Sequence, residues 1–457
     1  MNDSKTKGVN VITGDPHKAI RNQSIPLILS MLLMMAYNVV DSIWVAGLGT
    51  VPLAALGFIT PLFMINIGIG NGMGAGVTSL IARSIGADDK VQAENAGLHG
   101  LLIGVIISIV IPVIILIIIK PLLVLMGAHE VFNQAYQYAW IVFIGSFSFY
   151  FPAIGSAILR GEGDVNRATV AMAVTAVLNI VLDPIFIYIL NLGIAGAAYA
   201  TVISSFISLL VIFYWILVKK NTYLQLNLKD FKFNPQIVKD IILVGLPGSV
   251  EQIITQSVGL FNVSVLAMVA GTTAVAVFTA GWRIVTIVLV PNIGIATAAL
   301  TVAGVAFGSH NFENLKDTYY YSSKLALLIS VILAVLIFVF APQISIIFSY
   351  TSASAHLLTP IAAFLRVECF LFILTPIGIC AAYMFQGVGK GIMSLYLTIV
   401  RQLILTVFFV CLLTFVLGFG EQGVWWGMVL GTFFGSLVNY GVFIVYLKRL
   451  AKAWKIV

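Results

Sequence analysis

Unbroken apolar runs of about twenty residues recur along the whole chain, separated by short polar breaks, and they decide what it can fold into. Wound as a helix at about 1.5 Å per residue, one such run matches the hydrocarbon thickness of a bilayer. In lipid every backbone N–H and C=O must find its partner within the protein, so a spanning chain is helical or a closed barrel. The runs are continuous rather than alternating, which selects helices. Of the 457 residues 60% are apolar and only 9% charged, which no water-soluble globule could bury.

The runs predict an all-α polytopic membrane protein with twelve spans. They lie near residues 24–46, 53–82, 95–118, 132–155, 167–190, 194–218, 241–266, 273–305, 319–341, 357–385, 393–416 and 423–447. The first 21 residues are polar, with Lys5, Lys7, Asp15, Lys18 and Arg21, and the run after them is long and has no small-residue cleavage site. No signal peptide is expected. If the amino terminus is cytoplasmic, the tails and even-numbered loops hold 20 of the 24 Lys and Arg residues. The outer loops then hold only Lys120, while Arg283, Arg366 and Arg401 fall within spans. That asymmetry places both termini inside, in a multi-pass protein of the cell membrane. It also accounts for the net charge of +7 without a nucleic-acid partner.

The densest polar stretch, Lys219 to Lys239, separates two sets of six spans. The expected organisation is a first lobe at 1–218, a cytoplasmic linker at 219–240 and a second lobe at 241–457. The lobes resemble each other locally. Pro26 sits against Pro247, Gly86 against Gly308, Gly161 against Gly387 and Gly196 against Gly423, and the offset drifts from 221 to 227. Even span numbers give the halves the same orientation, a parallel repeat with two pseudo-symmetric bundles around a central cavity.

Two acids lie deep in spans of the first lobe, Asp41 in span 1 and Asp183 in span 5. An intramembrane carboxylate costs about 2.5–3.5 kcal/mol on insertion scales and is a functional candidate by default. Tyr37 and Asp41 share a helix face four residues apart, as do Asn179 and Asp183. Pro184 cannot donate to the carbonyl of Ile180, so it frees an oxygen beside Asp183. Oxygen ligands of this kind suit a hard cation such as Na⁺, and a desolvated carboxyl that keeps its proton suits H⁺; the residues do not choose between them. A purely architectural ion pair has no interior Lys or Arg in spans 1 to 6 to draw on.

The duplication supplies an internal control. The positions matching Asp41 and Asp183 in the second half are Asn262 and Phe409, so the ion site is expected in the first lobe alone. In the second lobe Arg283, Gln256 and Asn262 are candidate cavity residues. Glu251, just after Pro247, reads as an interfacial carboxylate at a helix start. Arg366 and Glu368, two residues apart, point to different helix faces and form no simple local pair; they read as charges neutralised mutually or at an interface, or as lining the cavity. Gly68, Gly70, Gly72, Gly74 and Gly76 lack the Lys-Ser/Thr ending of a phosphate loop and predict close helix packing. Cys369, Cys380 and Cys411 and the five histidines show no ligand spacing, and Asp88-Asp89 faces no second acidic cluster. No zinc site, organic cofactor or enzyme chemistry is expected, Na⁺ or H⁺ serving only as a coupling ion.

Pro26, the A-Y-N-V-V-D-S-I-W-V-A-G-L-G run ending at Gly49, R-G-E-G-D at 160–164 and L-N-I-V-L-D-P-I-F-I-Y ending at Tyr188 stand in order along twelve spans. Together they resemble the multidrug and toxic compound extrusion (MATE) family, and within it the archaeal members of the DinF-like branch. The resemblance implies an antiporter that moves amphipathic, often cationic compounds outward in exchange for Na⁺ or H⁺, working as a monomer through a cavity between two lobes. By the same resemblance the cation site comprises Asp41, Asn179, Asp183 and Thr201, supported by Tyr37, Asn38 and Tyr138. Pro26 would be the point about which span 1 bends, with Pro184 a second hinge. Met34 and Ser156 stand where some relatives are polar. The competing reading is a flippase for a lipid or lipid-linked substrate in the same superfamily, which the acidic, base-free interior of the first lobe disfavours.

Overall fold

The computed structural model describes residues 5–125, 128–219, 221–227, 229, 231–349 and 355–454, and every regular element among them is helical. In chain order these are α1 (Lys7–Ile12), α2 (Pro16–Ala46), α3 (Thr50–Gly86), α4 (Lys90–Leu125), α5 (Phe132–Ile144), α6 (Phe147–Gly161), α7 (Val165–Pro184) and α8 (Ile194–Phe213). The second half contributes α9 (Pro235–Gly308), α10 (Phe312–Ile346), α11 (Leu358–Glu368), α12 (Thr375–Gly387), α13 (Gly391–Thr398), α14 (Val407–Cys411) and α15 (Gly420–Ala453). Of the Lys and Arg residues counted above, Lys220 in the linker and Lys455 lie outside the described ones.

Ten helical stretches are long and apolar enough to span, and α5 with α6, bent by 45° at a short break, makes an eleventh. The twelfth comes from α9. Its 74 residues would reach over 100 Å, about three bilayer cores, and the helix is broken at Gly271, where φ is 73° and ψ −166°. Only glycine takes that backbone without strain. The described residues therefore hold twelve spans. Most run past their predicted ends, because polar residues continue the helix: α2 starts at Pro16 and α3 reaches Gly86. The starts of α7 and α10 are fixed by side-chain caps, Asp164 accepting from Arg167 N and Asn311 from Asn314 N.

The chain clusters into two compact units, Met1–Gly14 with Ile25–Ser249, and Asp15–Ser24 with Val250–Val457. The division within α2 falls two residues before Pro26, and α2 stays helical through that proline. The core of the first unit gathers Ile59, Phe63, Ile119, Ala139 and Phe143. That of the second gathers Phe278, Val285, Phe364, Phe372 and Trp425.

The glycines of α3 serve close packing on two faces. A Cβ at Gly72 would come within 2.3 Å of Ser249 N and one at Gly76 within 2.3 Å of Ile241 O, so the first turns of α9 lie backbone-to-backbone on α3. Gly70 and Gly74 admit Tyr150 and Ala157 of α6 on another face.

Backbone geometry repeats with the sequence offset. Gly163 and Gly389, 226 apart, both have φ 81°, and Gly193 and Gly420, 227 apart, both have φ 57°. Asp88 and His310, 222 apart, both have φ 54°. The π-wound turns Ile185–Ile189 and Leu412–Val416 are again 227 apart. Gly271 lies 222 after Gly49, the residue that ends the break between α2 and α3, which identifies the kink in α9 as the boundary between two spans.

Candidate functional site

In the first unit α7 brings Asn179 and Asp183 onto one buried face, 1% and 0% exposed. The helix passes Pro184 into the π-wound turn Ile185–Ile189, as expected where proline removes a backbone donor. The chain then turns through Gly193 into α8, whose Gly196 lies against the Phe186 backbone; a Cβ there would come within 2.6 Å of it. This contact sets the height of α8 beside α7 and delivers Thr201 to Asn179. Asn179 Nδ2 donates to Thr201 Oγ1 at 3.2 Å and more weakly to Asp183 Oδ1 at 3.4 Å. Thr201 in turn donates to Ala197 O at 2.9 Å, which leaves its oxygen lone pairs toward the site.

Asp41 reaches the same place from α2, and its carboxyl lies within hydrogen-bonding reach of that of Asp183. Asp41 is 8% exposed, and neither Asp41 Oδ1 nor Asp183 Oδ2 finds a donor among the described residues. Asn179 Oδ1 is likewise buried and without a partner. Two carboxylates cannot sit side by side in a desolvated site unless a proton or a cation lies between them. A pocket of about 100 Å³ opens beside Asp41, lined by Tyr37, Asn38, Thr60, Phe63, Tyr138 and Thr201 among others. Drug-sized ligands need roughly 300–1,000 Å³, so this space suits an ion with its immediate ligands and not a drug. Tyr188 Oη donates to Trp44 O at 2.5 Å, tying the π-wound turn to the end of α2.

The residues named from the sequence are thus distributed as follows. Asp41, Asn179, Asp183, Thr201, Tyr37, Asn38 and Tyr138 converge on one small volume, with Pro184 beneath it; Pro26 stands apart, toward the start of α2. The three second-lobe candidates do not form one cluster. Arg283 is exposed, Gln256 half-buried, and Asn262 buried with its Oδ1 unpartnered.

Two acids of the second unit differ from expectation. Glu251 lies well inside α9 rather than at a helix start and is buried, its Oε2 accepting from Gln386 Nε2 at 3.2 Å, and that amide also donates to Ser394. Glu368 is fully buried, with both oxygens unpartnered among the described residues, while Arg366 turns outward over the Phe338 ring. Their two-residue spacing already sends Arg366 and Glu368 to different faces, as the structure has them.

Sequence reasoning also passed over what fastens the linker. Leu224 N donates to Glu162 Oε2 at 2.9 Å, Gln225 N to Glu94 Oε1 at 3.1 Å, and Asn234 N to His99 Nε2 at 2.9 Å. Since that His99 nitrogen accepts, the ring proton sits on Nδ1, 2.8 Å from Asn95 O. Burial pushes the Glu162 carboxyl up to about 8, against the opposing pull of the Leu224 N–H.

A family model described as MatE matches the chain twice, over residues 26–185 and 247–412. The chain belongs to the MATE family. Its two matches begin 221 residues apart (247 − 26) and end 227 apart (412 − 185), the same drift as the glycine pairs. A MOP superfamily transporter from Pyrococcus furiosus, described as having a binding pocket of reverse polarity, superposes with a TM-score of 0.95. It is 41% identical, over 98% of this chain and 99% of that one. The multidrug export protein MepA of Staphylococcus saprophyticus is 24% identical over 437 residues, 94% of each chain. The FAD transporter of Shewanella oneidensis is 25% identical over 339 residues, 73% of this chain and 74% of that one. Like other MATE proteins, this one is a multi-pass membrane transporter and not an enzyme.

Proposed function

We propose that the protein is a cation-coupled antiporter that exports amphipathic, often cationic compounds by alternating access, driven by Na⁺ or H⁺ bound in its first lobe. The observation that carries this reading is the Asp41–Asp183 pair, two desolvated carboxyls in mutual reach with no basic residue lining their pocket. A single cation satisfies both and leaves when competed or rehydrated. Asn179 and Thr201 supply further oxygens at the same point, a donor set that fits a hard monovalent cation as well as a proton.

The first-lobe interior favours cationic cargo over the dinucleotide named for the Shewanella relative, and it disfavours a flippase for diphosphate-linked lipids. The sequence motifs favour the DinF-like branch and its archaeal members. The distribution of Lys and Arg favours a cell-membrane protein with both termini in the cytoplasm. No organic cofactor is needed for exchange of this kind. The test is efflux of a fluorescent cationic amphiphile from proteoliposomes under an imposed Na⁺ or H⁺ gradient. Gradient-driven efflux that Asp41→Asn and Asp183→Asn each abolish supports the reading; efflux retained in both variants overturns it.

A further inference from the structure

We infer that the second unit carries a binding site for an anionic phospholipid, in a cleft between the start of α13 and the C-terminal half of α15. The cleft measures about 690 Å³ and is open along the lipid-facing side of the helices, where Met393, Val438 and Val445 are exposed. Its walls are apolar over most of their length, but one end carries two cations, Lys390 and Arg449, and no carboxylate lines it. Neither cation has an acidic partner within ion-pair distance among the described residues. Lys390 Nζ rests 5.1 Å from the centre of the Tyr446 ring, and Tyr446 Oη is buried without a hydrogen-bond partner among the same residues. An unsatisfied hydroxyl beside Lys390, with Arg449 lining the same apolar trough, describes a seat for a phosphodiester with its hydrocarbon chains laid along α15.

The internal duplication explains why this corner, and not its counterpart, lacks an anion. Lys390 lies 226 residues after Asp164. In the first unit Asp164 caps the N-terminus of α7 and pairs with Arg167 at 3.1 Å, so a carboxylate of the chain meets the positive helix end. The second unit replaces that acid with Lys390 at the N-cap of α13, where no side chain caps the helix. Glu162 likewise gives way to Val388. The linker also seats Leu224 and Leu226, both buried, over this corner of the first unit. The geometry thus leaves a positive helix end, two side-chain cations and a hydroxyl donor facing a trough only a lipid-like chain would fill. With the orientation proposed above, this is the cytoplasmic leaflet; the site itself does not depend on the transport mechanism.

The test counts lipids that remain bound to the purified protein by native mass spectrometry, after exchange into detergent with phosphatidylglycerol or phosphatidylcholine. One phosphatidylglycerol is expected to be retained and phosphatidylcholine released. Lys390→Gln with Arg449→Gln is expected to weaken retention about thirtyfold, as for loss of two cations near a membrane surface. Lys448→Gln with Lys452→Gln removes the same charge beside the cleft and is expected to leave retention unchanged. Should the cleft variant fold poorly, raising salt on the wild type weakens retention of phosphatidylglycerol selectively if the contact is ionic. Equal retention of both lipids, retention indifferent to salt and to the cleft substitutions, or displacement of the lipid by millimolar inorganic phosphate would overturn the site.

Discussion

In the proposed exchange mechanism transport turns on Asp41 and Asp183, and each has one role that an amide cannot take. Asp→Asn keeps size and hydrogen-bonding capacity while removing the charge that a cation neutralises, so either variant should fold and reach the membrane. Gradient-driven efflux in proteoliposomes is expected to fall to the level of empty vesicles in both. Glu368→Gln, although that acid is equally buried, is expected to retain coupled efflux, because the proposed exchange site lies in the first lobe. Glu162 makes a prediction about stability. The folded protein holds its proton up to about 8, whereas the unfolded chain releases it near its ordinary value of 4.5. Between those values the native state binds more protons, so the contribution of Glu162 is fully present at low pH and lost as pH rises through about 8. Thermal unfolding from pH 5 to 8 is expected to be less pH-dependent in Glu162→Gln than in the wild type, by up to about 1.4 kcal/mol per pH unit. Asp41 and Asp183 were legible in the sequence because spans 1 to 6 hold no interior Lys or Arg to pair with them. Glu162 was not, because nothing in R-G-E-G-D says that Leu224, 62 residues on, will bury it.

At the scale of the helices, the site exists because α8 comes down close beside the π-wound end of α7. Gly196 is the residue that permits this, since any Cβ there meets the backbone of Phe186. Gly196→Val is expected to cost about 1–3 kcal/mol by overpacking and to lower the midpoint of thermal unfolding. It should also shift Thr201 away from Asn179, so cation binding weakens even in the molecules that remain folded. Helix existence and order were readable from the apolar runs, for hydrophobic length in a bilayer is a strong constraint. Helix ends were not, as polar residues at the interface extend α2 and α3 beyond the runs. The bend between α5 and α6 and the π-wound turns also left no periodic trace, since they alter hydrogen bonding without altering composition.

Across the whole molecule, duplication and charge asymmetry make two separate statements. The duplication is carried by backbone conformation as well as by sequence, as the paired positive φ values at Gly163 and Gly389 attest. It was legible because glycine is the residue that marks such positions. The excess of Lys and Arg in tails and even-numbered loops makes a statement about orientation. A cysteine introduced at Glu130, in the loop after α4, is expected to react with a membrane-impermeant maleimide in intact cells. One at Asp89, in the loop after α3, should react only after permeabilisation; the reverse pattern would invert the protein. The native cysteines make little background, as Cys369 and Cys380 are buried and Cys411 half-buried.

Whether a small cation visits the paired carboxyls is decided most directly by titrating Na⁺ and protons against each other on the purified protein. The wild type is expected to bind one cation at a site for which the two ions compete, or to take up a single proton there when Na⁺ does not bind. Asp183→Asn is expected to lose that binding while keeping its helical content. Unchanged binding in both Asp183→Asn and Asp41→Asn would contradict the account.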